Sequence, residues 1–498
     1  MKRKLIIVFL LLFPFLVYSQ ELVYFNNIYT YNGNYTIGMS VIDNGEAYFG
    51  YGATDDIGIY QELFLFKLSY TGEMQLLKTY YEPNYTFYPG IIGGAMIESW
   101  DNKFILAYHY SQNGVSYGAL MKLDNNLDTI WKRSYTPSYK TASLNCVELS
   151  DNGYLITGWV FQSEEDFSDA LLLKTDSLGN YQWHQLYGGY WAEHGTNVIE
   201  TPDGGYLLGG YFWKPGYDHS QDAMLIKTDS LGNEEWTNYY GNPDVDDDMA
   251  LLALADDGNY LVATLYGEWI IAPEARTGRI YLIKVDTNGD IIWAKKISPK
   301  MYALYIKNLR QTTDGNLIAS GFYIDSADNY IYKGFMYKFS QDGDSIWMRD
   351  YHHFNNQYDW NLFYDAYPTS DNGYITIGKA RPEMGGNNNM WIVKVDSMGC
   401  DTPGCATGTQ VYEFPKTSIK QIRVWPNPAS DLVHFQIPES TRFSKGTIVI
   451  TNIHGRQVAS IPINSDQVTW DASKVPNGIY FYRLATGNQL ITGKILIK

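Results

Sequence analysis

A lysine that closes a short apolar strand pattern recurs along the chain at intervals of 52 to 57 residues. Its seven positions are Lys67, Lys122, Lys174, Lys227, Lys284, Lys338 and Lys394. In five copies a tryptophan follows nine residues later, at Trp131, Trp183, Trp236, Trp293 and Trp347, and Leu76 takes that place after Lys67. A fixed period of this length indicates repeated supersecondary units. The sequence therefore predicts seven copies of one structural unit.

A turn sequence rich in Asp, Asn and Gly alternates with the lysine and is also present seven times, beginning at Asp43, Asp101, Asp151, Asp203, Asp257, Asp314 and Asp371. Each turn lies between apolar segments, which is typical of a tight hairpin. The lysine closes a third strand, and a second turn leads into the tryptophan strand. Repeated four-stranded units without helical periodicity predict a β-propeller, and we expect each tryptophan to pack between adjacent blades.

The seventh copy is incomplete, because no tryptophan strand follows Lys394. The segment Glu21 to Phe25 is a strand pattern without a partner of its own. We therefore predict an all-β fold, a seven-bladed β-propeller closed by the N-terminal strand and followed by a small C-terminal β-sandwich. Cys400 and Cys405 are predicted to form a small loop disulfide beside the closure. Cys146, inside a strand pattern, is interpreted as a buried small hydrophobe.

The N-terminus predicts export from the cytoplasm. Three basic residues at positions 2–4 precede an apolar run from Leu5 to Val17, and Ser19 and Gln20 follow it. This order is typical of a secretory signal peptide, and the run is too short to span a bilayer. The predicted organisation is a signal peptide at 1–19, the propeller at 20–405, a linker at 406–420 and a C-terminal module at 421–498, with no transmembrane segment in the mature chain.

The C-terminal module carries three motifs in a fixed order. They are Pro426-Asn427-Pro428, then Asn477-Gly478-Ile479-Tyr480, then Gly493-Lys494-Ile495-Leu496-Ile497-Lys498 at the terminus. Alternating apolar residues between them predict five short strands of a β-sandwich. The motif set closely resembles the C-terminal sorting domain of the Bacteroidetes type IX secretion system. The resemblance implies that this machinery is a partner, and that the mature protein is secreted or attached to the outer-membrane surface after signal-peptide and sorting-domain processing.

The composition excludes several functional classes. A formal net charge of −17 repels phosphate backbones, so nucleic acid is not expected as a partner. The chain lacks a zincin motif, a nucleophile elbow and paired Cys-x-x-Cys motifs. No cofactor is predicted. Calcium is the one metal considered, on the carboxylates at Asp244, Asp246, Asp247 and Asp248, whose spacing departs from that of known calcium loops.

The candidate ligand site is the propeller face that carries the variable loops, because function concentrates in variable loops on a rigid scaffold. Its candidate residues are Trp191, Glu193, Trp213, Trp269, Tyr358 and Trp360. Two hypotheses remain open. One is a non-catalytic binding or adhesion module for an extracellular glycan or protein. The other is a glycoside hydrolase or lyase that uses Glu193 with Asp247 or Asp359 as acid and base.

Overall fold

A computed structural model describes the chain from residue 23 to residue 498. Outside the described residues lie 32–34, 57–58, 83, 89–93, 164–165, 190, 214–220, 242–246, 270–275, 329, 384–385, 404, 406–422, 437–446, 453–455, 464–466 and 487–488. The predicted signal peptide and linker fall outside them as well. The chain divides into two compact units, Met1–Tyr412 and Glu413–Lys498. Among the described residues no helix is long and apolar enough to cross a bilayer.

The first unit consists of seven antiparallel blades in chain order. Blade one contains β2(Tyr35–Asp43), β3(Tyr48–Asp56), β4(Ile59–Leu68) and β5(Met74–Tyr80). Blade two contains β6(Tyr85–Tyr88), β7(Met96–Glu98), β8(Phe104–Gln112), β9(Val115–Leu123) and β10(Thr129–Tyr135). Blade three contains β11(Lys140–Glu148), β12(Tyr154–Phe161), β13(Ser168–Thr175) and β14(Tyr181–Tyr187). Blade four contains β15(Ala192–Glu200), β16(Tyr206–Trp213), β17(Gln221–Thr228) and β18(Glu234–Tyr240). Blade five contains β19(Leu251–Leu254), β20(Tyr260–Trp269), β21(Arg276–Val285) and β22(Ile291–Lys296). Blade six contains β23(Met301–Gln311), β24(Leu317–Asp325), β25(Ile331–Phe339) and β26(Ser345–Tyr351). Blade seven contains β27(Trp360–Pro368), β28(Tyr374–Arg381) and β29(Asn389–Val395), and its fourth strand is β1(Phe25–Tyr29) from the N-terminal part of the chain.

The closure by the N-terminal strand is confirmed. Strand β1 pairs antiparallel with β29, and Phe25 lies opposite Lys394. In blade four the residue opposite the repeated Lys227 is Trp236, so Phe25 takes the place of the missing tryptophan. Seven first strands, one from each blade, contact one another in a ring that returns from blade seven to blade one. The predicted seven-bladed, all-β fold is therefore correct.

Adjacent blades are joined by the tryptophan strand and the turn of the next blade. The rings of Trp131, Trp183, Trp236 and Trp347 lie against glycines with positive φ in those turns, and Phe25 lies in the same way against Gly72. Tyrosines at the ends of these strands donate their hydroxyls to turn carbonyls of the next blade, as Tyr187 does to Gly232 and Tyr29 does to Gly72. The predicted packing between blades is confirmed for these four tryptophans, whereas the corresponding Gly343 lies against Ile297 and Lys295 rather than Trp293.

The repeated lysines bind the repeated aspartates. The ion pairs are Lys122–Asp101, Lys174–Asp151, Lys227–Asp203, Lys284–Asp257, Lys338–Asp314 and Lys394–Asp371. In blade one the first turn is one residue shorter than in blade four, and the Lys67 ammonium instead lies 5.1 Å from the ring centre of Phe49. Each pair ties the third strand of a blade to its first hairpin turn.

A buried ion pair joins blades six, seven and one near the ring centre. Asp365 is fully buried, and Arg310 contacts its carboxylate at 3.2 Å. The same carboxylate accepts hydrogen bonds from the Ser40 hydroxyl and the Val41 amide of blade one. Because Asp365 is fully buried, its pairing with the partly buried Arg310 fixes the blades that meet at the closure.

The disulfide between Cys400 and Cys405 is present, with Cα atoms 5.6 Å apart. It follows the last turn of blade seven, where Asp396 accepts the Cys400 amide. Cys146 is a buried free thiol, as expected. Both cysteine predictions are therefore correct.

The second unit contains two small sheets around one apolar core. The first sheet has the order β30-β31-β34 and the second β33-β32-β35-β36. The strands are β30(Arg423–Trp425), β31(Leu432–Gln436), β32(Thr447–Asn452), β33(Gln457–Pro462), β34(Gln467–Asp471), β35(Gly478–Thr486) and β36(Gln489–Ile497). The predicted sandwich is confirmed with seven strands rather than five, because the three-residue β30 and the half-exposed β33 show little apolar alternation.

Candidate functional site

The candidate residues of blade four lie together on the loop face. Glu193 and Trp213 belong to the paired strands β15 and β16, and Ala192 faces Trp213 directly. Trp191 packs against the core between blades three and four, with its ring centre 6.4 Å from that of Phe167. Trp213 is 44% exposed. Blade four therefore offers one exposed aromatic ring beside one buried carboxylate.

Glu193 is buried, and its Oε2 atom has no hydrogen-bond partner among the described residues. Burial raises the pKa of this carboxyl to about 7, and the nearby Asp169 charge acts in the same direction. A carboxyl that is partly protonated at neutral pH is suited to proton transfer if a substrate reaches it.

The two carboxylates predicted as partners of Glu193 have structural contacts. Asp359 accepts amide hydrogen bonds on both oxygens, from Asn356 at 2.6 Å and Glu383 at 2.9 Å. Asp247 accepts the amide of Gly267 at 2.7 Å. These bonds fix loop backbones and give both carboxylates a structural role, and the acid and base pair stays a prediction.

The acidic run considered for calcium is described only at Asp247 and Asp248, since Asp244 and Asp246 fall outside the described residues. Burial raises the pKa of Asp248, which favours its neutral form and disfavours metal binding. Within the described ranges no three His, Cys, Asp or Glu residues form a group that could hold a metal ion. The side chain of Trp269 is also outside the description.

A partly buried polar cluster joins blades three and four beside this region. His194 contacts the Ser168 hydroxyl through Nε2 at 2.6 Å and the Tyr211 hydroxyl through Nδ1. Its ring also stacks on Trp159, with the centres 5.5 Å apart. Burial lowers the pKa of His194 to about 4, so the imidazole is neutral at pH 7 and joins two hydroxyls.

The candidate Tyr358 belongs to an aromatic row on the loop face of blades six and seven. The row consists of Tyr302, Tyr330 and Tyr358, whose successive ring centres lie 6.3 Å and 6.0 Å apart. Tyr330 and Tyr358 are stacked and are 44% and 47% exposed. Trp360 lies beside the row, with the Arg381 guanidinium 4.3 Å from its ring centre. Tyr302 meets Tyr330 edge-on, at an interplanar angle of 80°, so the stacked and exposed pair of Tyr330 and Tyr358 is the part of the row that an apolar ligand face can cover.

The backbone holds these tyrosines in an unusual conformation. Tyr330 and Tyr358 have φ angles of 56° and 62°, and Ala303, next to Tyr302, has 45°. Among the described residues nine non-glycine residues have positive φ; five are Asn, and these three are among the other four. A bulky residue in the left-handed region costs on the order of 1 kcal/mol or more, and such residues cluster at functional sites.

A pocket opens at the Tyr302 end of the aromatic row. Its volume is about 180 Å³, and it combines the rings of Tyr302 and Tyr323 with the carboxylates of Asp325 and Asp350. Lys333 contacts both carboxylates, at 2.9 Å and 3.5 Å. The complete lining is Pro299, Lys300, Met301, Tyr302, Tyr323, Ile324, Asp325, Ser326, Met348 and Asp350. Apolar walls with a few polar groups are typical of small-ligand sites.

The predicted site residues are thus divided between two regions. The structure places Trp191, Glu193 and Trp213 on blade four, and it places Tyr358 and Trp360 on blade seven. Tyr302, Tyr330 and the pocket were missed by sequence reasoning. The signal that could have indicated them is weak, because the chain contains 44 tyrosines.

The motifs of the C-terminal unit meet on the edge of one sheet. The Asn427 side chain donates to the Lys494 carbonyl and accepts the Leu496 amide, each at 2.9 Å. Ala429 donates to the Leu496 carbonyl and accepts the Lys498 amide. The Pro-Asn-Pro segment therefore covers the free edge of the last strand, which explains why the first and last motifs occur together.

Comparison with known families decides the role of this unit. The family described as "Secretion system C-terminal sorting domain" matches residues 423–498. The C-terminal unit is a secretion sorting domain. This sorting domain directs the chain through the type IX secretion system to the cell surface or the extracellular space, and the predicted resemblance is confirmed.

Solved structures that are similar to part of the chain differ widely from it in sequence. A protein of unknown function from Dyadobacter fermentans is 11% identical, with a TM-score of 0.41, covering 63% of this chain and 100% of its own. The alpha-L-arabinanase of Penicillium chrysogenum is 11% identical, with a TM-score of 0.43, covering 62% and 96%. A PL25 ulvan lyase is 10% identical, with a TM-score of 0.47, covering 76% and 98%. No curated protein sequence matches the chain.

Proposed function

We propose that the exported propeller is a binding protein for glycans. One sugar residue occupies the pocket of blade six, and the chain continues across Tyr302, Tyr330 and Tyr358. The observation that carries this proposal is the strained, left-handed backbone of two exposed and stacked tyrosines. Strain of this kind persists when the surrounding structure enforces it, and a function in ligand stacking gives a reason for it.

The charges around the row favour a neutral glycan. Carboxylates at Asp325 and Asp350 accept hydrogen bonds from sugar hydroxyls, and Arg381 supplies a donor, because its side chain is 29% exposed where it lies over Trp360. The net charge of −17 repels polyanionic chains such as those rich in uronate or sulfate. We therefore expect neutral oligosaccharides to bind better than acidic ones.

The first experiment is a glycan array with the purified full chain, followed by calorimetric titration of the best neutral oligosaccharide. Tyr358→Asn removes the ring but keeps a residue that tolerates positive φ, so it should weaken binding about tenfold without unfolding the protein. Tyr181→Asn is the matched control, since Tyr181 is 53% exposed on the outer strand of blade three. Equal losses in both variants, or no binding of any glycan, refute the proposal.

A second variant tests the pocket. Ser326 is an exposed pocket residue, and Ser326→Trp should fill the cavity and reduce affinity without disturbing the core. Ser345→Trp makes the same change at an exposed position where β26 begins. Unchanged affinity in Ser326→Trp would restrict the binding site to the aromatic row.

The hydrolase or lyase alternative rests on Glu193 alone, whose raised pKa suits a general acid. Its test is release of reducing sugar, or of an unsaturated product, from the same oligosaccharides. Turnover that is abolished in Glu193→Gln supports catalysis. Binding without turnover in the parent protein supports the binding role.

A further inference from the structure

One face of the sorting domain exposes apolar side chains that the sandwich core does not use. In β35, Tyr480 and Tyr482 are buried, whereas the alternate residues Ile479 and Phe481 are 41% and 46% exposed. The pairing of β35 with β36 places Leu496 opposite Ile479 on the same outer face. Large exposed apolar side chains that share a face indicate an interaction surface.

Basic side chains stand beside these apolar residues. Arg483 follows Phe481 on the same face, and Lys494 is paired directly with Phe481 across the strands. An open groove of about 490 Å³ lies here, lined by Thr451, Phe481, Tyr482, Arg483, Thr492, Gly493 and Lys494. None of its lining residues is acidic, so the groove is apolar and positively charged.

The charge of the whole sorting domain has the same sign. Residues 423–498 contain eight Lys and Arg against four Asp and Glu, although the complete chain has a net charge of −17. A basic module on an acidic protein is suited to a partner with acidic groups, because complementary charges steer association and reject wrong partners.

We propose that this outer face, defined by Ile479, Phe481, Arg483, Lys494 and Leu496, is the surface that a protein of the export machinery recognises. The partner presents an apolar patch rimmed by carboxylates. Phe481 is the anchor, and the two cations select the partner by charge. Aromatic and arginine side chains carry most of the binding energy in protein interfaces, which fits this division.

The test follows export of the full chain in a bacterium that carries the type IX secretion system. Phe481→Ala, and separately Arg483→Glu with Lys494→Glu, should raise the periplasmic fraction about tenfold and lower the surface and extracellular fraction. Matched controls are Leu432→Ala, which removes a 47% exposed apolar side chain from the other sheet, and Lys474→Glu, which reverses an exposed charge elsewhere in the domain. Both controls should be exported like the parent.

Two further measurements keep the outcome interpretable. Thermal unfolding and limited proteolysis of the purified full-length variants separate lost recognition from lost folding, and Phe481→Tyr, which preserves the ring, should restore export if Phe481→Ala unfolds the domain. Parent-like export of folded Phe481→Ala and of the charge reversal overturns the proposal. It is also overturned if these changes abolish only self-association, or only binding to vesicles that contain anionic lipid, while export continues.

Discussion

The hairpin turns on one face of the propeller make the same contacts in nearly every blade, whereas the loops on the other face differ from blade to blade. Six lysine–aspartate pairs and the ring-on-glycine contacts belong to the hairpin face. The pocket and the row of exposed tyrosines occur on the loop face of blades six and seven. A contact that is repeated in nearly every blade stabilises the propeller, whereas an arrangement that occurs in one place is a candidate for ligand binding.

On the hairpin face, we expect the largest loss of stability when Lys394 is replaced. Its side chain is fully buried and its partner Asp371 is nearly so, and breaking such a pair leaves an unpaired buried carboxylate. Lys394→Met should lower the free energy of unfolding by about 3–5 kcal/mol. Lys174→Met should cost less than about 1 kcal/mol, because Asp151 is half exposed. Urea unfolding of the two variants measures the difference, and equal losses would contradict the burial argument.

On the loop face, function and stability should separate. Replacing Tyr330 with Asn removes an exposed ring and relieves a left-handed conformation that a tyrosine rarely adopts. We expect a stability equal to the parent or up to about 1 kcal/mol higher, together with glycan affinity lowered about tenfold. Chemical unfolding and calorimetric titration on one preparation test both parts. A variant that loses stability without losing affinity would show that the ring is structural.

The lysine–aspartate pairs predict how stability changes with pH. Burial raises the pKa of Asp203, but hydrogen bonds from Thr201 and Lys227 outweigh burial and lower the pKa to about 2. A carboxyl with a lowered folded pKa stabilises the fold above its unfolded pKa of about 3.9, and the effect is lost as the pH falls through the folded pKa. After allowance for solvent exposure, Asp203→Asn should cost about 1 kcal/mol at pH 7.

Unfolding of Asp203→Asn and the parent at pH 7, pH 4 and pH 2 tests this sign. The difference in stability should shrink as the pH falls from 4 to 2. Asp344→Asn, at an exposed turn position of blade six, serves as the control and should leave the curve unchanged. A difference that grows on acidification would contradict the assignment.

The smallest effect concerns the closing strand. Tyr29 donates to Gly72 as Tyr187 donates to Gly232, so Tyr29→Phe and Tyr187→Phe should each cost about 1 kcal/mol. Unfolding experiments on both variants test whether the N-terminal strand bonds like an internal fourth strand. A cost at Tyr187 with none at Tyr29 would mean that the closure is looser than the other blade junctions.

Much of the fold could be predicted because period and turn chemistry depend on local sequence. The incomplete seventh copy and the unpartnered N-terminal strand together indicated the closure, although nothing marked Phe25 as the substitute for tryptophan. Contacts between distant segments were less accessible. Asn427 contacts Lys494, which lies 67 residues further along the chain. In blade one the first hairpin turn is shorter, and the lysine–aspartate pair that the sequence repeat suggests is not formed there among the described residues.

The candidate site was predicted only in part. Tyr358 and Trp360 were identified because they are aromatic residues in a loop between blades. Tyr302 and Tyr330 were missed because backbone strain and ring stacking arise from tertiary structure, and a tyrosine in a tyrosine-rich chain has no distinguishing neighbour. Nothing in the sequence indicated that loop amides donate to both oxygens of Asp359, and the pairing of Glu193 with Asp359 stays a prediction.

Hydrogen exchange of the full chain, with and without the best-binding neutral oligosaccharide, tests the central claim most directly. The account predicts slower exchange at residues 299–302, 323–328, 330–331 and 356–361 of blades six and seven, with no change at the hairpin turns 201–205 and 371–373. Protection centred on the hairpin turns, or on residues 192–213 of blade four, would contradict it.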